Sequence, residues 1–284
     1  MTALPPIAVS MGDPAGIGPE ITVKAWQALR GNPSAVFYVI GCPALYPKCQ
    51  TISALAQAAK TFQTALPVLP IDVPAVVCGS PNANAANAIT GAIEMATACA
   101  LSGEAAAVVT NPIAKDILYA AGFKFPGHTE YLAELTKAVT PPYARGPVMM
   151  LAAQDLRVAL VTIHTSLASV APLITADRIM EVARILHGAL RTDFGIKTPR
   201  IALAGLNPHA GENGALGREE IEIINPAAAK LRASGINITD AQSADTLFHA
   251  QARENYDAAL CMYHDQGLIP VKTLDFHGGV NTTL

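Results

Sequence analysis

The strongest constraint on this chain is a set of short apolar runs that are continuous rather than alternating. Residues 7–11, 35–40, 105–110, 148–152, 157–163, 201–206 and 258–263 are such runs, most of them closed by Gly, Pro, Asn or His. A strand apolar on both sides is a strand covered on both sides, as in a parallel sheet flanked by helices. Helical stretches lie between the runs, at 21–29, 84–101, 130–135, 176–192 and 219–234. In 176–192 the residues Ile179, Val182, Ala183, Leu186 and Leu190 recur at helical spacing. The alternation predicts an α/β fold with largely parallel sheets. The proline-rich segment 61–81 is expected to meander irregularly over the surface.

Length and composition narrow the class further. A chain of 284 residues implies two domains at roughly 150 residues each. Charged residues make up only 14% and hydrophobic ones 51%, which excludes a disordered chain and leads us to expect a large subunit interface. The net charge is −3 with no Lys/Arg run, so no nucleic-acid partner is expected. The opening residues do not read as a signal peptide and no 18-residue apolar stretch exists. A cytoplasmic protein without a membrane span is therefore expected. Five scattered cysteines (Cys42, Cys49, Cys78, Cys99, Cys261) without a CxxC pair read as reduced thiols.

The first strand-to-helix turn reads MGDPAGIGPEI over residues 11–21. A helix N-terminus after a glycine-rich turn can receive an anion. The dinucleotide fingerprint fails, because Gly16 and Gly18 have no third glycine after them. A tight structural turn, with Pro19 in the first helical turn and Gly16 and Gly18 at positive φ, is an equal reading. The acids Asp13 and Glu20 incline the loop towards function.

Three of the strand runs deliver a histidine just past their carboxyl ends: His164, His209 and His264. That edge is where ligands bind in open α/β sheets. Three imidazoles with an open fourth position make a catalytic divalent-metal site, zinc above all. The carboxylates Asp265, Glu212 and Asp245 are candidate partners that would fix the ring tautomers. His187 and His249 read as surface residues, and His277 as ambiguous. Thr129, in Gly127-His128-Thr129-Glu130, stands at a helix start and is either a cap or part of an anion site. Asn111 and Lys115 follow another strand. Lys272 and Asn281 occupy a polar stretch suited to a small anionic substrate.

These segments, together with LNPHAGE at 206–212, Ala244-Asp245-Thr246 and YHDQGLIPVK at 263–272, resemble the 4-hydroxythreonine-4-phosphate dehydrogenase family of pyridoxal phosphate biosynthesis. The resemblance runs from Ile7 to Leu284. It implies two three-layer α/β/α domains of the isocitrate/isopropylmalate dehydrogenase type, here 1–125 plus 273–284 and 126–272, the latter carrying the metal ligands and dimer contacts. It implies NAD as cofactor, held by a loop of which Gly12, Asp13, Gly16 and Gly18 are the candidate contacts. His164, His209 and His264 become ligands of a divalent metal (zinc first, magnesium or cobalt as alternatives) in a homodimer with its active site at the subunit interface. His128, Thr129, Lys272 and Asn281 match substrate-contacting positions, and Lys272 is the first candidate acid/base, with Asp245 and Asp265 orienting the site. The implied reaction oxidises the 3-hydroxyl of 4-phosphooxy-threonine and releases CO2, leaving 3-amino-2-oxopropyl phosphate. Family members continue past the equivalent of Leu284, where a further substrate arginine and a DHGTA-like stretch are expected.

Competing readings keep the same chemistry on 4-phospho-threonate, 4-phospho-erythronate or a dihydrodiol carboxylate. A three-histidine zinc hydrolase and a non-catalytic relative are the alternatives from other classes.

Overall fold

A computed structural model of the chain describes residues 4–139 and 146–284. The chain separates into two compact units, Met1–Ala138 and Val139–Leu284. The first unit contains β1 (Ile7–Ser10), α1 (Gly18–Leu29), β2 (Phe37–Gly41), β3 (Cys49–Thr51), α2 (Ala58–Phe62), β4 (Leu66–Pro70), α3 (Ala86–Leu101), β5 (Val108–Thr110), α4 (Lys115–Ala120) and α5 (His128–Thr136). The second contains β6 (Met149–Ala153), β7 (Leu156–Leu160), α6 (Val170–Leu173), α7 (Ala176–Thr192), β8 (Arg200–Ala204), α8 (Asn225–Ala233), β9 (Asn237–Gln242), α9 (Ala250–Arg253), β10 (Ala258–Cys261), α10 (His264–Leu274) and β11 (Val280–Thr283).

In the first unit a five-stranded sheet runs β3-β4-β2-β1-β5 with every neighbour parallel. All five residues of β2 are buried, as its apolar run predicts. Ala92 and Ala96 on α3 are fully buried and bring that helix down on β1. Trp26 of α1 is sealed in the same core and donates its Nε1–H to the Phe62 carbonyl at 2.7 Å.

The expected surface meander at 61–81 holds for residues 71–76, which are irregular, but is corrected at β4, whose Leu66 and Val68 are fully buried. Its two prolines obscured it. Pro67 pairs with β3, but the ladder to β2 starts only at Val68; Pro70 pairs with β2, beyond the last β3 pair at Val68. Each missing N–H therefore faces a side where no ladder exists.

The second unit holds a six-stranded sheet in the order β11-β6-β7-β10-β8-β9. From β7 to β9 it is parallel, while β6 and β11 pair antiparallel. Successive strand residues point to opposite faces. Ile201, Leu203 and Leu260 join Ile179, Leu186 and Leu231 on one side. Ala202, Ala204 and Cys261 join Leu268 and Val271 on the other. Helices thus cover both faces, which gives the expected α/β/α layering.

The domain limits differ from the expected ones. Residues 273–284 do not join the N-terminal part, because β11 completes the second unit's sheet by pairing with Met149–Ala152 of β6. Residues 126–138 belong to the first unit. There Tyr131 of α5 donates its hydroxyl to Glu94 of α3 at 2.5 Å and stacks edge-on against Phe123.

Candidate active site

The strands β7, β10 and β8 are adjacent and parallel, so their carboxyl ends share one edge. His164 follows β7, His264 opens α10 after β10, and His209 follows β8. The rings of His164 and His264 lie 5.6 Å apart, centroid to centroid. His264 Nδ1 is 2.7 Å from Asp265 Oδ1. A carboxylate accepts only, so Nδ1 carries the proton of this bond, and in the neutral ring the lone pair then stands on Nε2. Asp245, in the short turn Ala244–Thr246, is exposed. The hydrogen bond from the Ser243 hydroxyl, and beyond it the charge of His209, hold its carboxyl below its ordinary value. Asp245 and Asp265 both line a cavity of about 660 Å³, with Arg253, Tyr263, Phe248 and Leu274 around them.

His209 sits on an unusual turn. From His209 to Asn213 the φ angles are 51°, 51°, 81°, 43° and 55°, a left-handed run in which only Gly211 lacks a Cβ. Left-handed residues normally occur singly, and each non-glycine one costs ~1–2 kcal/mol.

Two buried polar residues that the sequence reading missed hold this edge together. Gln266 accepts the Met262 N–H at 2.7 Å and donates to the Gly205 carbonyl at 2.6 Å, tying the end of β10 to that of β8. Glu220 accepts the N–H groups of Leu206 and Asn207, each at 2.8 Å. A pattern signal existed for Glu220. It stands at core spacing with the buried Ile224, Ala227 and Leu231, where an apolar residue would be expected.

Lys272 is exposed on the last turn of α10, with its ammonium 5.9 Å from the centre of the Phe276 ring. Asn281 is an exposed residue of β11, opposite Leu151.

In the first unit, the glycine loop is shaped by packing. Gly12 has φ +70°, and a Cβ there would meet the Pro112 carbonyl at 2.5 Å; one on Gly18 would meet the Met11 carbonyl at 2.5 Å. Neither Gly16 nor Gly18 has positive φ, contrary to the structural-turn expectation; Gly12 does. Asn111 is buried and donates to the Ser10 carbonyl and the Thr22 hydroxyl, at 3.0 and 2.8 Å, so it is a brace. Asp13 is 3% exposed. Its Oδ1 accepts the Ala15 N–H at 2.9 Å, whereas Oδ2 is buried without a partner. Glu20 pairs with Lys24 on the exposed face of α1.

His128 opens α5, and its Nε2 is buried with no partner. Burial, then the nearby Lys115 ammonium, push its imidazole below its ordinary value. Lys115 Nζ would lie 3.5 Å from a Cβ on Gly127. Thr129 occupies the first turn beside it. Of the remaining histidines, His249 is exposed and caps α9, whereas His187 is half-buried rather than on the surface.

The donor set at the histidine edge fits a divalent metal in kind: three imidazoles on neighbouring strand ends, one with its tautomer set by a carboxylate. Among the described residues, however, no three His, Cys, Asp or Glu side chains cluster tightly enough to hold an ion. No described helix is long and apolar enough to cross a membrane.

The family model for "Pyridoxal phosphate biosynthetic protein PdxA" matches residues 32–284. A 4-hydroxythreonine-4-phosphate dehydrogenase of Maricaulis maris is 55% identical, covering 100% of this chain and 87% of its own length. The enzyme of the same name from Caulobacter vibrioides is 54% identical, over 98% of this chain and 86% of its own. Among solved structures, the 4-hydroxythreonine-4-phosphate dehydrogenase of Klebsiella pneumoniae aligns with a TM-score of 0.87 and 39% identity. That alignment covers 99% of this chain and 88% of the other.

Proposed function

The chain belongs to the pyridoxal phosphate biosynthetic protein PdxA family and is a dehydrogenase, and from that premise we propose how its residues serve the reaction. The substrate is 4-hydroxythreonine 4-phosphate, and the pathway is pyridoxal phosphate biosynthesis. In the proposed course the C3 alcohol is oxidised to a ketone, with loss of the C3–H as hydride and of the hydroxyl proton. The resulting β-keto acid gives up CO2, and its α-carbon takes a proton, leaving 3-amino-2-oxopropyl phosphate. NAD, when bound, would accept that hydride, and a divalent metal would be held by His164, His209 and His264 and would supply Lewis acidity.

The chain's own residues do the rest. Asp265 holds the His264 ring in one tautomer. Asp245 adds negative charge beside His209. Lys272 and Asn281 are proposed to hold the substrate's anionic groups, with Lys272 also the first candidate to move the proton. His128 and Thr129 are proposed substrate contacts on the first unit; the unpartnered Nε2 of His128 is a site awaiting a hydrogen bond. The glycine loop, with Gly12, Asp13, Gly16 and Gly18, is the proposed cofactor contact. A homodimer sharing its active sites across the interface, in the cytoplasm, completes the proposal.

The observation that carries the metal reading is the delivery of three histidines to one sheet edge by adjacent parallel strands. NADH formation from 4-phosphooxy-threonine, abolished by a chelator and restored by zinc, is the expected result. Turnover of 4-phospho-threonate with none of the amino acid would overturn the substrate assignment. Turnover indifferent to chelation would overturn the metal.

A further inference from the structure

Beneath the turn that carries His209 lies a carboxylate with no part in the chemistry above. Glu220 is 1% exposed. Its Oε1 accepts the N–H groups of Leu206 and Asn207, and its Oε2 accepts Asn207 Nδ2 at 3.0 Å. These are the residues that lead from β8 into the left-handed run His209–Asn213. The run rests directly on the carboxylate: a Cβ on Gly211 would lie 2.7 Å from Glu220 Oε2.

The helix supporting Glu220 is locally distorted. Residues Glu220–Ile224 form a π turn, in which the Asn225 N–H reaches back to the Glu220 carbonyl. Pro226 follows and has no N–H to continue an α ladder. Such bulges recur at functional sites.

A left-handed run of mostly non-glycine residues persists only where its surroundings over-determine it. Glu220 supplies that determination from below, through both the backbone before the turn and the glycine within it. We propose that Glu220 is a positioning residue that fixes this turn and so aims the His209 imidazole at the metal. The inference rests on the metal reading given above. Outer partners of this kind set ligand orientation, and their loss commonly weakens metal binding 10- to 100-fold.

The test measures zinc affinity by chelator competition, and the visible spectrum of the cobalt-loaded protein, on the full chain. Glu220→Ala is expected to lower affinity 10- to 100-fold and to change the cobalt bands. Glu220→Gln keeps an acceptor for the two backbone N–H groups but sets a donor against Asn207 Nδ2, and is expected to lose less. Leu231→Ala, a buried residue of α8, is the control. It lowers the unfolding midpoint and leaves metal affinity as in the parent, which separates loss of stability from loss of aim. If Glu220→Ala does not fold, Glu220→Gln decides alone. Parent-like affinity in the folded Glu220 variants, with zinc lost from His209→Ala, overturns this proposal only. Undiminished zinc in His209→Ala overturns the metal reading and this proposal with it.

Discussion

Gly12 and Asn111 share the task of closing the end of β1 against the end of β5. Gly12 leaves room for the Pro112 carbonyl, and Asn111 bonds to Ser10 and Thr22. Gly12→Ala adds a left-handed penalty to a steric one, and is expected to cost about 2–4 kcal/mol in a urea unfolding titration. Asn111→Ala leaves buried groups unpaired and is expected to cost about 1–3 kcal/mol in the same measurement. His128 gives a pH signature. Its imidazole titrates below its ordinary value when folded, so the unfolded chain binds the proton first as pH falls. Stability is therefore whole above the ordinary imidazole value and drains away as pH drops through it towards the lower folded value. His128→Gln is expected to remove part of that acid-side fall in the unfolding midpoint. His187, lowered in the same direction by burial, contributes to what remains. At this scale the sequence shows which histidines stand past strand ends, and the structure places His164, His209 and His264 there. Gln266 stayed hidden because its meaning depends on a carbonyl 61 residues away, at Gly205.

Among the elements, α3 and β4 teach opposite lessons. The alanines of α3 announced a helix and also how closely it lies on the sheet. Ala92→Leu, at a position with no exposure, is expected to overpack that contact and cost about 1–3 kcal/mol by chemical denaturation. The strand β4 is masked in the sequence by its two prolines, which lack a ladder donor. Pairing register decides whether its missing donor matters, and register is not written in a single segment. The same holds for the turn after β8. LNPHAGE advertised a histidine but not five successive left-handed residues, for which non-glycine sequence carries no propensity signal.

For the whole molecule, continuous apolar runs were enough to give parallel α/β sheets, and length was enough to give two units. The boundary was not legible, because it depends on which sheet edge receives Val280–Thr283, a contact with residues 149–152 far earlier in the chain. The proposed homodimer predicts sedimentation equilibrium at twice the 29.5 kDa chain mass. A single-chain mass at working concentration would contradict it.

The strand order of the second unit has a consequence for synthesis. β10 is made after β6, β7, β8 and β9, yet it lies between β7 and β8. Until Ala258–Cys261 have left the ribosome, the halves of that sheet have no strand to join them. The histidine edge is therefore assembled late, by the arrival of one strand, whereas the first unit is contiguous and its sheet can close beforehand.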